Sequence, residues 1–135
     1  MATKKKKETL KVLEISRSKW SRGSAASATI TNALVMPNTK HMCCLGFLGK
    51  SCGISMKAMT DVIYPESHAY KHSAQAKKWP EGVLDENEDV SSHLINSWWT
   101  EKAIDYNDDE MLAKDRERVL KEHFKDIGYK VVFVP

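Results

Sequence analysis

From Leu10 to Ile15 the chain alternates, with Leu10, Val12 and Glu14 on one side and Lys11, Leu13 and Ile15 on the other. A period of two in a run rich in Val, Leu and Ile predicts a strand. Ser16 or Ser18 then caps a short turn through Trp20, and Arg22-Gly23 ends it. Ser24 to Thr31 is small and β-prone with little pattern. Ala33 to Met36 is a second apolar run, extended and stopped by Pro37. Over residues 41–53 the period changes. Cys44, Leu48 and Cys52 recur at i, i+4 and i+8, with Leu45 beside them, as one face of a helix would require. Gly46, Gly49 and Gly53 mark another face, and Gly53 suits the left-handed position that ends a helix. A glycine inside a helix costs about 1 kcal/mol against alanine. Something must therefore approach that face closely, either a neighbouring backbone or a ligand.

Ser55 opens a turn through Thr60, and Val62 to Tyr64 reads as a strand closed by Pro65. Glu66 to Glu88 is mostly polar and too long for a simple connector. It reads as a functional loop, or as partly helical over Ser73 to Lys78. Asp89 is placed to cap a helix carrying Val90, Leu94, Ile95 and Trp98, continuing or restarting through Tyr106. The polar run Asn107 to Glu110 breaks it. Asp109 then caps a long helix over about residues 111–127, with Leu112, Val119, Leu120, Phe124 and Ile127 as its apolar positions. Gly128 stops that helix, and Tyr129 to Val134 is a strand suited to pair with the first. No internal repeat appears. The pattern predicts an α+β fold in which a small antiparallel or mixed sheet, including the N- and C-terminal strands, packs against several helices. It forms a single domain over residues 9–135, preceded by a flexible basic tail over residues 1–8.

Composition adds limits. With 41% apolar and 29% charged residues the chain is ordinary for a globular domain, and no apolar run approaches the ~18 residues that span a bilayer. The basic N-terminus lacks the apolar core of a secretory signal. Three cysteines, two of them adjacent, make no disulfide framework. These features predict a cytoplasmic protein with no membrane contact. Charge is segregated: residues 9–57 hold seven cations against Glu14, whereas residues 81–110 hold ten acids against Lys102. Either the first half meets an anionic partner or the two halves face each other. Without its tail the body has 17 basic and 17 acidic residues (21 less Lys4–Lys7, and 18 less Glu8), which argues against a dedicated duplex-DNA binder.

Cys43 sits at the predicted helix start, where free amides favour anions and would favour a thiolate. A nucleophile would need a histidine beside it. Cys44 and Cys52 lie about 12 Å apart along one helix and cannot share a tetrahedral ion; no metal is expected, the alternative being a site that joins Cys43 or Cys52 to histidines such as His68 and His72. Asn107 and Asp108 are suited to read ribose hydroxyls or base edges. Trp98 and Trp99 must point in different directions, one into the core. An exposed tryptophan near Arg17, Arg22 and Lys50 would stack on a base while the cations meet phosphates. Gly46 to Ser51 ends like a phosphate loop, but its glycines are too close together for one.

Arg22-Gly23, Ala33-Leu34, Cys43-Cys44-Leu45-Gly46-Phe47-Leu48, Asn107-Asp108 and the closing Phe124…Gly128-Tyr129 together resemble a family of small phage and prophage proteins. The likeness covers about two-thirds of the chain and leaves residues 66–97 as a variable middle. It implies no settled activity. A phage setting implies an accessory protein acting in the host cytoplasm against host defence. The expected function is a non-catalytic, self-assembling binder of an anionic nucleotide-derived signal of the cyclic oligonucleotide or cyclic ADP-ribose type. Arg17, Trp20, Arg22, Cys43, Gly46, Lys50, Trp99, Asn107 and Asp108 would form its site, without cofactor. The alternatives are a small nucleotide-processing enzyme using Cys43 with a histidine or Asp108 with a metal, and an inhibitor that blocks a host defence protein with its acidic face.

Overall fold

The computed structural model describes residues 9–23, 32–87 and 93–135. The tail, the Ser24–Thr31 run and the Asp89 cap expected above lie outside those residues. The described chain is an α+β fold, as the periodicities predict. Strand β1 (Lys11–Ser16) and strand β4 (Tyr129–Val134) pair in parallel, so almost the whole chain forms the crossover between them. Their register sets Leu13 beside Val131 and Ile15 beside Phe133 on the buried face. A second, antiparallel pair joins β2 (Leu84–Asn87) to β3 (His93–Asn96). Among the described residues no helix is long and apolar enough to cross a membrane.

Helix α1 (Cys44–Ser51) lies at the centre, with Cys44, Leu45 and Leu48 fully buried. Its glycine face is where two segments come close. A Cβ on Gly46 would stand 1.9 Å from the carbonyl oxygen of Leu34, which belongs to an extended segment bridged to Met42 and Thr60 through Val35. A Cβ on Gly49 would meet Met59 Sδ and the Trp79 ring. Of the two explanations for those glycines, close packing by protein holds at both. Ser55 caps the short helix α2 (Met56–Met59) through Ala58 N–H, and Gly53 takes the expected left-handed conformation.

Pro65 departs from expectation. It opens helix α3 (Pro65–Lys71) instead of closing a strand, because proline's fixed φ and missing N–H suit the first helical position. A 3₁₀ turn over Ser73–Lys78 follows. Leu94 and Ile95 belong to a strand, not a helix. The helix boundary falls at Ser97, whose Oγ accepts from Thr100 N–H at 3.1 Å and starts α4 (Trp98–Asp108). Asp109 ends α4, with its N–H on Asp105 O, and does not cap α5 (Ala113–Lys125). Leu112 therefore stands outside α5 and is 65% exposed, while Leu120 and Phe124 fill the core.

The glycine face gives a direct test. In Gly46→Ala the new methyl group meets backbone that cannot swing aside, and stability falls by about 3 kcal/mol. In Gly53→Ala the site is open and only the positive φ opposes the change, at about 1 kcal/mol. Urea melts of the two variants should keep that order; equal losses would show that the Leu34 contact is slack.

Candidate functional site

Asn107, in the last turn of α4, is 1% exposed and uses both ends of its side chain. Its Oδ1 accepts from Trp20 Nε1 at 2.8 Å and from Cys44 N–H, the first amide of α1, at 2.9 Å. Its Nδ2 donates to Ser21 O at 3.0 Å and to Asp108 Oδ1 at 2.8 Å. Asn32 Nδ2 donates to the same Asp108 oxygen and to Gly23 O, and Ser21 Oγ bonds Asn32 Oδ1. The buried Arg116 on α5 donates to the carbonyls of Tyr106 and Asn107. A helix end leaves unpaired backbone groups that must find partners when buried. Here one side chain serves the start of α1, and an arginine serves the end of α4.

Titration at this joint follows burial. Desolvation pushes the Cys43 thiol up to about 12, against the opposing pull of the Gly46 and Leu45 amides. Cys44 is raised for the same reason, so at neutral pH both are thiols. Burial raises the Asp108 carboxyl above its usual range, partly offset by its bonds from Asn32 and Asn107. Burial lowers the Arg116 guanidinium, with Arg22 adding to the shift and Asp108 opposing it. A nucleophilic Cys43 has no support here, and among the described residues no group of three metal-binding side chains converges.

The nine residues expected to form a ligand site divide accordingly. Trp20, Cys43, Gly46 and Asn107 are buried in the joint, and Asp108 is tied to it. Arg22 lies over the Trp20 ring at 4.4 Å and donates to the carbonyls of Arg17 and Trp20. Arg17 forms a two-point ion pair with Glu117 at 2.7 and 2.8 Å. Lys50 is exposed in the last turn of α1, about 10 Å along the axis from Cys43. Trp99 is the core tryptophan, stacked on His123 at 4.7 Å with its Nε1 on His123 O. The exposed one is Trp98, at 71%. The structure thus brings five of the nine together as a packed joint and leaves the space between α1 and the Asn-Asp turn filled by protein.

Open space lies at the other end of α1. A cleft of about 490 Å³ is lined by Lys11, Cys52, Lys77, Lys78, Trp79 and Tyr129, among others. It adjoins a second cleft of about 570 Å³ that shares Lys11, Pro80, Glu81 and Tyr129 and adds Lys125. Trp79 fixes the lysine pair. It packs on Gly49, and its Nε1 donates to Nδ1 of the buried His68 at 3.0 Å. Lys78 Nζ donates to Gly53 O at 3.2 Å. The Tyr129 hydroxyl stands 3.5 Å from Cys52 Sγ, and its pKa is raised by burial and by that contact, so it remains a phenol. Sequence reasoning assigned none of these lysines to a site. The Lys77-Lys78 doublet before Trp79-Pro80 was the available signal, but only the pairing of β1 with β4 brings Lys11 and Tyr129 to it.

Two outcomes follow from this geometry. Asn107→Ala strands the Trp20 and Cys44 donors and the Ser21 carbonyl, and costs about 3 kcal/mol by chemical denaturation; a neutral result would remove Asn107 from the centre of the fold. A thiol reagent added to native protein should label Cys52 alone, Cys43 and Cys44 reacting only after unfolding. Rapid labelling of all three would contradict the packed joint.

No family model, no curated protein and no solved structure matches the chain.

Proposed function

We propose that the chain is a non-catalytic binding protein that sequesters a small phosphate-bearing ligand, of the nucleotide-derived signalling class, in the lysine-lined cleft at the C-terminal end of α1. The observation that carries this reading is the convergence of Lys11, Lys77 and Lys78 on one cleft, with Lys125 on its neighbour. Clefts of this volume are in the range that holds small ligands. Lysines supply point charges to phosphate oxygens, the Tyr129 phenol supplies a neutral donor, and Glu81 can accept from ribose hydroxyls. Cys43 and Cys44 are buried at the opposite end of α1 and do not line the cleft, so neither is placed to attack a ligand held there. In the setting that the phage-family resemblance implies, such a protein would withdraw a host defence signal.

Calorimetry with cyclic dinucleotides and cyclic ADP-ribose isomers tests this. Binding should weaken by roughly 1,000-fold in Lys11→Ala/Lys77→Ala/Lys78→Ala, the loss of three charge-assisted bonds of ~1.5 kcal/mol each. Bound ligand should protect Cys52 from alkylation and be recovered chemically unchanged. Absence of binding, with no small molecule released when purified protein is denatured, would end the proposal. A modified ligand would make the chain an enzyme.

A further inference from the structure

A second basic surface lies away from that cleft's lysine pair. Lys114, Arg118, Lys121 and Lys125 fall at i, i+4, i+7 and i+11 on α5, all exposed, and so form one stripe along the helix. They wall a groove of about 510 Å³ whose floor is Lys130, Val131, Val132 and Phe133 of β4. Side chains alternate along a strand, so four consecutive residues line one groove only where it runs beside the strand edge. Among the described residues β4 is paired on one side only, to β1. Lys11 N–H donates to Gly128 O, and the parallel register then turns the peptide groups of Lys130 and Val132 toward β1 and those of Val131 and Phe133 away from it. None of the loop or inter-element backbone bonds among the described residues involves Lys130 to Val134. The groove therefore joins an unpaired strand edge to a row of cations. Of the carboxylates beside it, Glu117 is held by Arg17 and Asp115 meets Arg118, and Glu122 is the other acid of the lining, against five cations once Lys130 is included, so the groove stays basic.

The chain also carries the complement. β2 is the outer strand of the β2–β3 pair: β3 packs against α3 and α4, and β2 packs chiefly on β3. Asp85 and Glu86 of β2 are exposed, and Ile95, across the pair from Asp85, is exposed as well. Two-stranded sheets are marginal alone and gain from added strands. A nucleic-acid occupant would want exposed aromatic rings to stack bases, and the one ring lining this groove, Phe133, is buried. The body of the chain is neutral overall, 17 cations (21 less Lys4–Lys7) against 17 acids (18 less Glu8), so the counter-charge for the groove is present on the protein itself.

We infer that the groove between α5 and β4 receives the acidic edge of β2 from a second copy of this chain, extending β1–β4 into a four-stranded intermolecular sheet. The contact joins two different surfaces, so it builds head-to-tail assemblies.

Sedimentation of the full chain should show self-association at about 0.1 M salt that is lost at about 1 M, where the screening length falls from ~10 to ~3 Å. Lys114→Glu/Arg118→Glu/Lys121→Glu should be monomeric, and so should Asp85→Lys/Glu86→Lys. All five positions are exposed, so circular dichroism should show both variants folded. Mixing the two variants should restore association, and the Val131 and Phe133 amides should then exchange more slowly. A wild-type chain that stays monomeric at low salt would overturn the inference and leave the lysines as guards of an unpaired edge. Association that survives both charge reversals, or leaves those two amides unchanged, would overturn it equally. None of the changed residues lines the Lys11–Lys77–Lys78 cleft, so ligand binding by the monomeric variants separates this contact from the proposed function.

Discussion

The fold depends on how one buried amide is satisfied. Asn107 has a carbonyl and an amino group, and the joint between α1 and α4 requires both. The start of α1 and the Trp20 indole present donors, while the Ser21 carbonyl and the Asp108 carboxylate present acceptors. Neither a carboxylate nor an aliphatic side chain can meet both demands. A buried polar group left without partners is costly, so a network of this kind strongly specifies a single arrangement. It fixes where α1 begins, and with it the approach of Gly46 to the Leu34 carbonyl.

That is also why the motifs that stand out in the sequence lead to packed protein and not to open space. Cys43-Cys44, Gly46 and Asn107-Asp108 draw the eye as chemistry, and each has a physical reason to be distinctive. The cysteines fill small buried volumes, Gly46 admits a backbone, and Asn107 closes the start of α1. Residue type and spacing along one segment cannot separate these uses from ligand binding, because the partner that decides the matter comes from elsewhere in the chain. Trp20 and Asn107 are 87 positions apart.

Local rules served better where the deciding contact was local. The periods of two at Leu10–Ile15 and of 3.6 at Cys44–Cys52 both lead to the observed elements, as do the glycine stops at Gly53 and Gly128 and the Ser55 cap. The errors fall where one residue has two legitimate uses. Pro65 fits the end of a strand and the first turn of a helix equally well. Asp109 fits an N-cap, but it closes α4, and α5 starts only after Leu112. Leu94 and Ile95 suit a helix face until the Ser97 cap places the boundary after them. The lysine cleft was illegible for a different reason: it is assembled from β1, the 3₁₀ turn and β4, three elements with no shared period.

Helix α1 connects the two regions mechanically. Its N-terminal amide is held by Asn107, and its Gly49 face receives the Trp79 ring three residues after Gly46 receives the Leu34 backbone. Trp79 is in turn pinned by His68 and directly follows Lys77 and Lys78. The position of the lysine pair is therefore set by contacts on the same short helix that the Asn-Asp joint anchors. By spacing alone the glycines could make room either for a neighbouring backbone or for a ligand. They make room for protein, and by doing so they place the cations of a cleft at the opposite end of the helix. The proposed binding surface depends on such rigidity, because flexible lysines gain little from meeting phosphate unless the backbone that carries them is fixed.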